Sequence, residues 1–377
     1  MPITQDEYRA RFSRVKESIA REKLDMLLVY TCGNRNMYGN LLYLTGYYSF
    51  DPCIQGALLV PREGEPHLLL NFEWDLDRAG ITSWLPRSQM SFSRDLGAGL
   101  VRFCQERGLE RGKIGIVGES YLPVSLYEQL RLGLPGAELI PSSNLVTSER
   151  LVKSPAEIET MRIAARLTHE GIMAGIHNLR QGVSELEILA KCVETMLHQA
   201  DEIAFTGQVS FGKMTEVCMA PASRNKLKRG DWVMFDMGCL YEHYVGDLSR
   251  TRVLGKATPE QKHIYDIVLE AQDAAIRAVK PGIPAGEIDR VARDIIERAG
   301  YGEAFNHWLG RGEGLDLHER PFMEKGDTML LKPGMIFSIE PGIYLPGLGG
   351  ARVEETVLVT DRGYEVISDM SDRELEV

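Results

Sequence analysis

The sequence of 377 residues contains no apolar run long enough to span a membrane, no CxxC cysteine pair and only eight histidines. A membrane-spanning helix needs about 20 largely apolar residues in succession, and a secretory leader needs an apolar core that the charged segment 1–25 lacks. Six scattered cysteines in a chain of this length indicate reduced thiols. We therefore expect a cytoplasmic protein without a membrane anchor or a disulfide framework.

An excess of negative charge excludes several classes of partner. The 43 basic and 54 acidic residues give a net charge of −11, and an acidic surface repels nucleic-acid phosphates and anionic lipid head groups. The content of hydrophobic residues, 44%, is that of a globular protein and not of a disordered or fibrous one. We expect a small-molecule substrate, with neither nucleic acid nor membrane as a partner.

The pattern of the chain changes near residue 150. Strand-like apolar runs alternate with helical segments before this point, which predicts a small α/β domain over 1–150. Ser154-Pro155, followed by acidic residues, is typical of a helix start. Beyond it, pairs of amphipathic helices alternate with strands, which predicts a second α/β domain over 151–377. The predicted helices are 155–178, 183–200, 258–280 and 285–299.

Four acids lie within otherwise apolar strand segments of the second domain: Asp236, Asp247, Glu340 and Glu354. A charge inside a buried strand is costly unless a partner compensates it. Asp236 and Asp247 flank a glycine-containing bend, a spacing that suits neighbouring antiparallel strands. Any one of these acids could simply be salt-bridged to a neighbour, whereas four together are the oxygen ligands that divalent cations need.

The same segments resemble the pita-bread family of methionine aminopeptidases, prolidases, aminopeptidase P and creatinase. The motifs that carry the resemblance are FDMG and GDLSRT (235–251), GLDLHERP (314–321), LKPGMIFSIEPGIYLPG (331–347) and ARVEETVLV (351–359). The resemblance implies a small creatinase-type N-terminal domain and a C-terminal pita-bread domain with a curved antiparallel sheet and two helix pairs. It also implies that Asp236, Asp247, Glu340 and Glu354 bind the metal, as Mn, Zn or Fe, if the site binds one at all.

Two positions depart from the family pattern. The ligand histidine of the family is replaced by Arg311, which cannot coordinate a metal because its guanidinium stays protonated. A histidine that helps to hold substrate in the family peptidases is replaced by Met219, an apolar side chain. His307 is an alternative ligand if the local register shifts. These departures lead us to expect a site without the usual metal pair and without a cofactor.

The departures favour a creatinase-like hydrolase that cleaves a non-peptide C–N bond of a small molecule, such as an amidine or a cyclic amide. In this hypothesis Glu340 is the general base or nucleophile, and Arg311 stabilises an anionic centre. His318 or His307 donates a proton to the leaving nitrogen. The alternative is a metal-dependent Xaa-Pro dipeptidase or aminopeptidase P. A lyase on the same scaffold and a catalytically silent binding module also stay open.

A further set of residues is expected to contact the substrate. Its members are Tyr47, Tyr48, Phe50, Asp51, Met219, Glu313 and Arg352. The first four stand where creatinase has a substrate clamp, although a buried turn of the small domain explains them equally well. Because that loop reaches the partner's active site in creatinase, the resemblance implies a homodimer.

Overall fold

The computed structural model describes residues 3–34, 37–49, 51–368 and 370–377, and the chain divides into two compact units, Ile3–Arg150 and Leu151–Val377. All six cysteines are free thiols. Every helix within the described ranges is too short or too polar to cross a membrane.

The N-terminal unit is a six-stranded mixed sheet with helices. Its helices are α1 (Gln5–Arg21), α2 (Gly39–Thr45), α3 (Asp75–Thr82), α4 (Leu96–Glu106), α5 (Val124–Gly133) and α6 (Asn144–Arg150). Its strands are β1 (Met26–Cys32), β2 (Gln55–Pro61), β3 (His67–Leu70), β4 (Met90–Phe92), β5 (Lys113–Val117) and β6 (Glu138–Pro141). The strand order is β4-β3-β2-β1-β5-β6, in which β1 pairs antiparallel with β2 and parallel with β5.

The C-terminal unit carries two helix pairs and antiparallel sheets. Its helices are α7 (Pro155–His177), α8 (Glu185–Met196), α9 (Pro259–Ala278) and α10 (Ala285–Arg298). Its strands are β7 (Glu202–Ile203), β8 (Gln208–Phe211), β9 (Trp232–Tyr241), β10 (Tyr244–Val253), β11 (Gly310–Gly312), β12 (Glu319–Met323), β13 (Ile336–Ile339), β14 (Gly342–Leu345), β15 (Gly349–Arg352), β16 (Glu355–Val359) and β17 (Tyr364–Val366). One sheet has the order β10-β9-β7 with β8 also paired to β9, a second has the order β12-β11-β13-β16-β17, and β14 pairs with β15. The predicted α/β class with two helix pairs is confirmed.

The two helix pairs begin with the same local chemistry. The hydroxyl of Ser154 accepts a hydrogen bond from Glu157 N at 3.3 Å, and Thr258 accepts one from Gln261 N at 3.2 Å. Both caps form capping boxes with proline at the next position, which fixes where the long helices α7 and α9 start. The repeat in the chain's organisation therefore extends to its helix caps.

The long hairpin β9–β10 supports the acidic residues of this unit. Glu242 and His243 form its two-residue turn, and both have positive φ angles, 48° and 68°, as a tight twisted turn requires. Helix α7 packs against the hairpin so closely that Gly246 has no room for a side chain. A Cβ atom at this position would lie 2.3 Å from the backbone carbon of Ala164.

Replacement of Gly246 by alanine is expected to lower the free energy of unfolding by about 1–3 kcal/mol, because either α7 or β10 must shift. Denaturant unfolding of the purified variant measures this change. Gly363→Ala is the matched control, since a Cβ atom there meets nothing within 4 Å. Equal stability of the two variants would contradict the close packing of α7 on β10.

Candidate active site

A cavity of about 450 Å³ lies in the C-terminal unit and brings together most of the candidate residues from the sequence. The candidates that line it are Met219, Asp236, Asp247, His307, Arg311, His318, Glu340 and Arg352. Apolar side chains, including Phe205, Trp308 and Leu317, form much of the remaining wall. The cavity therefore combines a charged floor with an apolar side.

Asp236 and Asp247 point to the same side of the β9–β10 hairpin. Asp236 is opposite Ser249, and Asp247 is opposite Gly238. Because alternate residues of a strand share one face, Asp247 and Ser249 lie on the same face as Asp236. The antiparallel arrangement predicted from the spacing of the two aspartates is confirmed.

Glu354 joins this face from the junction between β15 and β16. Its backbone N–H donates to Ser249 O at 3.1 Å, and the Ser249 hydroxyl donates to Glu354 Oε2 at 3.1 Å. Ser249 Oγ also accepts a hydrogen bond from Arg352 Nε at 3.0 Å. Ser249 thus holds both the carboxylate of Glu354 and the guanidinium of Arg352 in position.

The three carboxylates form a group that fits one divalent cation. Asp236, Asp247 and Glu354 each offer an oxygen within 4.8 Å of the others. Asp247 Oδ1 and Glu354 Oε1 are buried and have no hydrogen-bond partner in the part of the chain that the structure describes. Burial, and then repulsion between the acids, raises the pKa of Asp247 and Glu354 well above the ordinary range, despite the lowering influence of Arg311. A bound cation would satisfy these oxygens and favour their charged forms.

Glu340 lies outside this three-carboxylate group but lines the same cavity. The Ser338 hydroxyl donates to Glu340 Oε1 at 3.1 Å and accepts from Arg311 N at 3.2 Å. Burial raises the pKa of Glu340, and the positive charges of Arg311 and Arg352 act in the opposite direction. The Glu340 carboxylate is therefore held by its neighbours while still facing the cavity.

Arg311 is buried among the acids. Its Nη2 donates to Asp247, and its Nη1 lies 2.5 Å from Glu313 Oε1 and 3.7 Å from Glu354 Oε1. Burial lowers the pKa of Arg311, but Asp247 and Glu313 outweigh it, so that the pKa lies above the usual range. Glu313 is buried against Arg311 and is not among the cavity-lining residues, which gives it a pairing role instead of the expected contact with substrate.

Arg352 has a scaffolding position instead of the expected substrate-binding one. Its Nε donates to Ser249, its Nη1 donates to Cys218 O at 2.8 Å and Tyr344 Oη at 2.7 Å, and its Nη2 contacts Gln208 and Asp236. A guanidinium has five N–H donors, and these acceptors engage all of them. Arg352 therefore positions Asp236 and Tyr344.

His307 is part of the same network. Its Nδ1 lies 2.7 Å from Trp308 O and must carry the proton, because a carbonyl only accepts. Its Nε2 then accepts from the Tyr344 hydroxyl at 3.0 Å, and Tyr344 in turn accepts from Arg352. Burial, followed by the charge of Arg352, lowers the pKa of His307 to about 3. With both nitrogens engaged, His307 is poorly suited to the expected roles of metal ligand and proton donor.

His318 and Met219 lie at the more open side of the cavity. His318 packs edge-on against Trp308 at 6.0 Å between ring centroids, and burial and the charge of Arg311 lower its pKa to about 4. Its ring is therefore mainly neutral at neutral pH, which suits hydrogen bonding better than proton donation. Met219 is 58% exposed and contributes apolar surface.

The clamp candidates of the N-terminal unit have internal partners. Tyr47 is fully buried and donates to Asp75, and Arg78 lies 5.1 Å from the ring centroid of Tyr48. Asp51 Oδ1 accepts from Cys53 N at 2.8 Å and so closes a turn. These contacts favour the interpretation of a structured turn over that of a substrate clamp. Phe50 lies outside the described residues.

Four residues of the network escaped sequence reasoning: Gln208, Ser249, Ser338 and Tyr344. Ser249 and Ser338 each stand two residues from a candidate acid, so the two-residue period of a strand could have identified them. Gln208 contacts Arg352 from β8, a distant segment whose approach no local pattern shows. Tyr344 contacts it across the short hairpin β14–β15, which the glycine-containing turn between these strands could have indicated.

Comparisons with known proteins agree with this architecture. Residues 159–361 match the Metallopeptidase family M24, and residues 11–152 match the Creatinase/Prolidase N-terminal domain. The Xaa-Pro dipeptidase of Pyrococcus horikoshii is 40% identical over 366 residues, which are 97% of this chain and 98% of that protein. The crystal structure of the prolidase from Pyrococcus horikoshii OT3 has a TM-score of 0.86 at 32% identity and covers 97% of this chain and 99% of its own. The Xaa-Pro dipeptidase structure from Bacillus anthracis has a TM-score of 0.87 at 28% identity, with 98% and 100% covered.

The chain belongs to the Metallopeptidase family M24 and is a hydrolase that acts on carbon–nitrogen bonds. The pita-bread family and its fold, expected from the motifs, are confirmed. The creatinase-like hydrolysis of a non-peptide bond is wrong, because relatives that span nearly the whole chain are named Xaa-Pro dipeptidases and prolidases. The metallopeptidase family and the three-carboxylate group also argue against the expectation of a site without a metal.

The His307 ring is expected to stay neutral down to about pH 4, since its lowered pKa of about 3 lies far below the ordinary value of about 6.5. Stability contributed by the neutral ring is present above pH 6.5 and is lost as the pH falls toward 3. Nitrogen-15 NMR of histidine-labelled protein measures the titration, and His307→Asn assigns the signal by removing it. A His307 signal that titrates near pH 6.5 would contradict the network with Tyr344.

Proposed function

We propose that the protein is a metal-dependent dipeptidase that cleaves small dipeptides of the Xaa-Pro type. The observation that carries this proposal is the buried group of Asp236, Asp247 and Glu354, of which Asp236 and Asp247 line the cavity. The names of the relatives that cover almost the whole chain support it. A cavity of about 450 Å³ suits a small substrate better than a long peptide.

The donor set favours manganese among the expected metals. Asp236, Asp247 and Glu354 supply only carboxylate oxygens, which suit Mn²⁺ better than Zn²⁺, whose sites more often include nitrogen or sulfur. A divalent ion held by these residues would polarise a peptide carbonyl and make water a better nucleophile at neutral pH.

Proton transfer and substrate binding are assigned to residues of the chain. Glu340, fixed by Ser338, is placed to take a proton from the attacking water and pass it to the leaving nitrogen. The neutral ring of His318 is placed to donate a hydrogen bond to the substrate. Phe205, Trp308 and Leu317 supply the apolar wall against which a proline ring or an apolar side chain packs.

The homodimer and the cytoplasmic location stay predictions. The homodimer follows from the resemblance to creatinase, and sedimentation analysis of the full chain tests it. Neither one is needed for the chemistry proposed for the cavity.

The full-length protein, stripped with chelator and reloaded with Mn²⁺, is expected to release proline from dipeptides such as alanyl-proline and phenylalanyl-proline. Glu340→Gln should lower kcat by about 10²- to 10⁴-fold, because the variant cannot accept the proton. Proline release, followed by chromatography, measures the activity, and the tripeptide alanyl-prolyl-alanine distinguishes a dipeptidase from an aminopeptidase.

Glu324→Gln is the matched control for Glu340→Gln, because Glu324 is exposed and does not line the cavity. This control should keep wild-type activity. No release of proline after loading with Mn²⁺, Zn²⁺ or Fe²⁺ would overturn the proposed function. Equal activity of Glu340→Gln and wild type would remove Glu340 from the mechanism.

A further inference from the structure

We infer that the Arg311 guanidinium takes the place of a second cation, so that the site binds a single divalent cation between Asp236, Asp247 and Glu354. This inference rests on the metal-dependent function proposed above. It concerns how many ions the site holds, which neither the family nor the relatives' names specify for a chain with arginine at this position.

The two oxygens of the Asp247 carboxylate have different surroundings. Its Oδ2 accepts from Arg311 Nη2, whereas its Oδ1 has no hydrogen-bond partner within the described ranges. Asp247 is only 2% exposed, so water does not compensate the unpaired oxygen readily. One oxygen is therefore paired with the guanidinium, and the other is left for the single metal ion.

Glu354 also has one oxygen without a hydrogen bond from any described residue, and this oxygen is the one nearer to Arg311. Its Oε2 accepts from the Ser249 hydroxyl at 3.1 Å, while its Oε1 has no hydrogen-bond partner in the described part of the chain and lies 3.7 Å from Arg311 Nη1. The residue is 1% exposed. Among the described residues, Asp247 and Glu354 thus each keep one buried oxygen without a hydrogen bond, and both belong to the group whose ligand atoms lie within 4.8 Å of one another.

Arg311 closes the opposite side of the group. Its guanidinium is held between Asp247 and Glu313, and its backbone N–H is held by Ser338. Glu313 is completely buried and lies two residues further along the chain, just after β11, where it serves as a counter-ion for Arg311. A metal ion at this position would have to displace a buried guanidinium from two carboxylates at once.

The net charge of the buried site favours the binding of a single divalent ion. The five acids are Asp236, Asp247, Glu313, Glu340 and Glu354, and the two guanidinium groups are those of Arg311 and Arg352. Full ionisation leaves three negative charges, and one divalent cation reduces this excess to one. A second divalent cation would make the buried site positive beside Arg311, where like charges repel strongly.

The test counts bound ions without using activity. Full-length protein stripped by chelator is titrated with Mn²⁺ by calorimetry, and its manganese content is measured by elemental analysis after gel filtration. Wild type is expected to bind one Mn²⁺ per chain. Arg311→His, which removes the guanidinium and adds a nitrogen ligand, is expected to bind two.

Arg320→His is the matched control, because Arg320 lies on the neighbouring strand β12, pairs with Asp327 and does not line the cavity. It should bind one Mn²⁺, as wild type does. Circular dichroism and thermal unfolding establish that each variant is folded. The wild-type stoichiometry tests the inference even if Arg311→His does not fold.

Two Mn²⁺ per wild-type chain, or none, would overturn the inference, as would a folded Arg311→His variant that binds only one. The ion count together with the activity distinguishes failure of the inference from failure of the proposed function. One bound ion without release of proline would overturn the function alone, whereas two bound ions with release of proline would overturn only the inference.

Discussion

The C-terminal unit depends on the compensation of buried carboxylates. Asp247 and Glu354 are almost completely buried beside each other, and an isolated carboxylate in such surroundings would take up a proton. Arg311 pairs with Asp247, and Arg352, on a different strand, pairs with the neighbouring Asp236, so that both neutralise part of the negative charge of the site. The hairpin, the serine hydroxyls and the close packing of α7 are the means by which the chain keeps these opposite charges in contact.

Much of this arrangement could be predicted from the sequence, because its signals are local. The apolar runs, the helix starts and the eleven-residue spacing of Asp236 and Asp247 each depend on neighbours in the chain. The short elements α2, α6, β6 and β11 could not be predicted, since tertiary pairing and not periodicity defines them. The same limit applies to Gln208, which meets Arg352 only through the folding of a distant strand.

The incorrect choice of reaction has a physical explanation. From the sequence alone, Arg311 and Met219 indicate a change of substrate, because the resemblance gives each replaced histidine a purpose in the family. In the structure, Arg311 is paired with Asp247 and Glu313, so it changes how charge is balanced. Met219 lies at the open side of the cavity and changes the wall. Neither replacement removes any of the four carboxylates predicted from the sequence.

The pairing of Arg311 with Asp247 has a consequence for the protein when metal is scarce. A metal ion can dissociate or be removed by a competing chelator, but a guanidinium is attached to the backbone by covalent bonds. Part of the positive charge that holds the acidic strands together is therefore permanent and independent of the supply of ions. The fold around the cavity therefore does not depend entirely on a bound metal ion. When an ion binds, its carboxylate ligands are already in place.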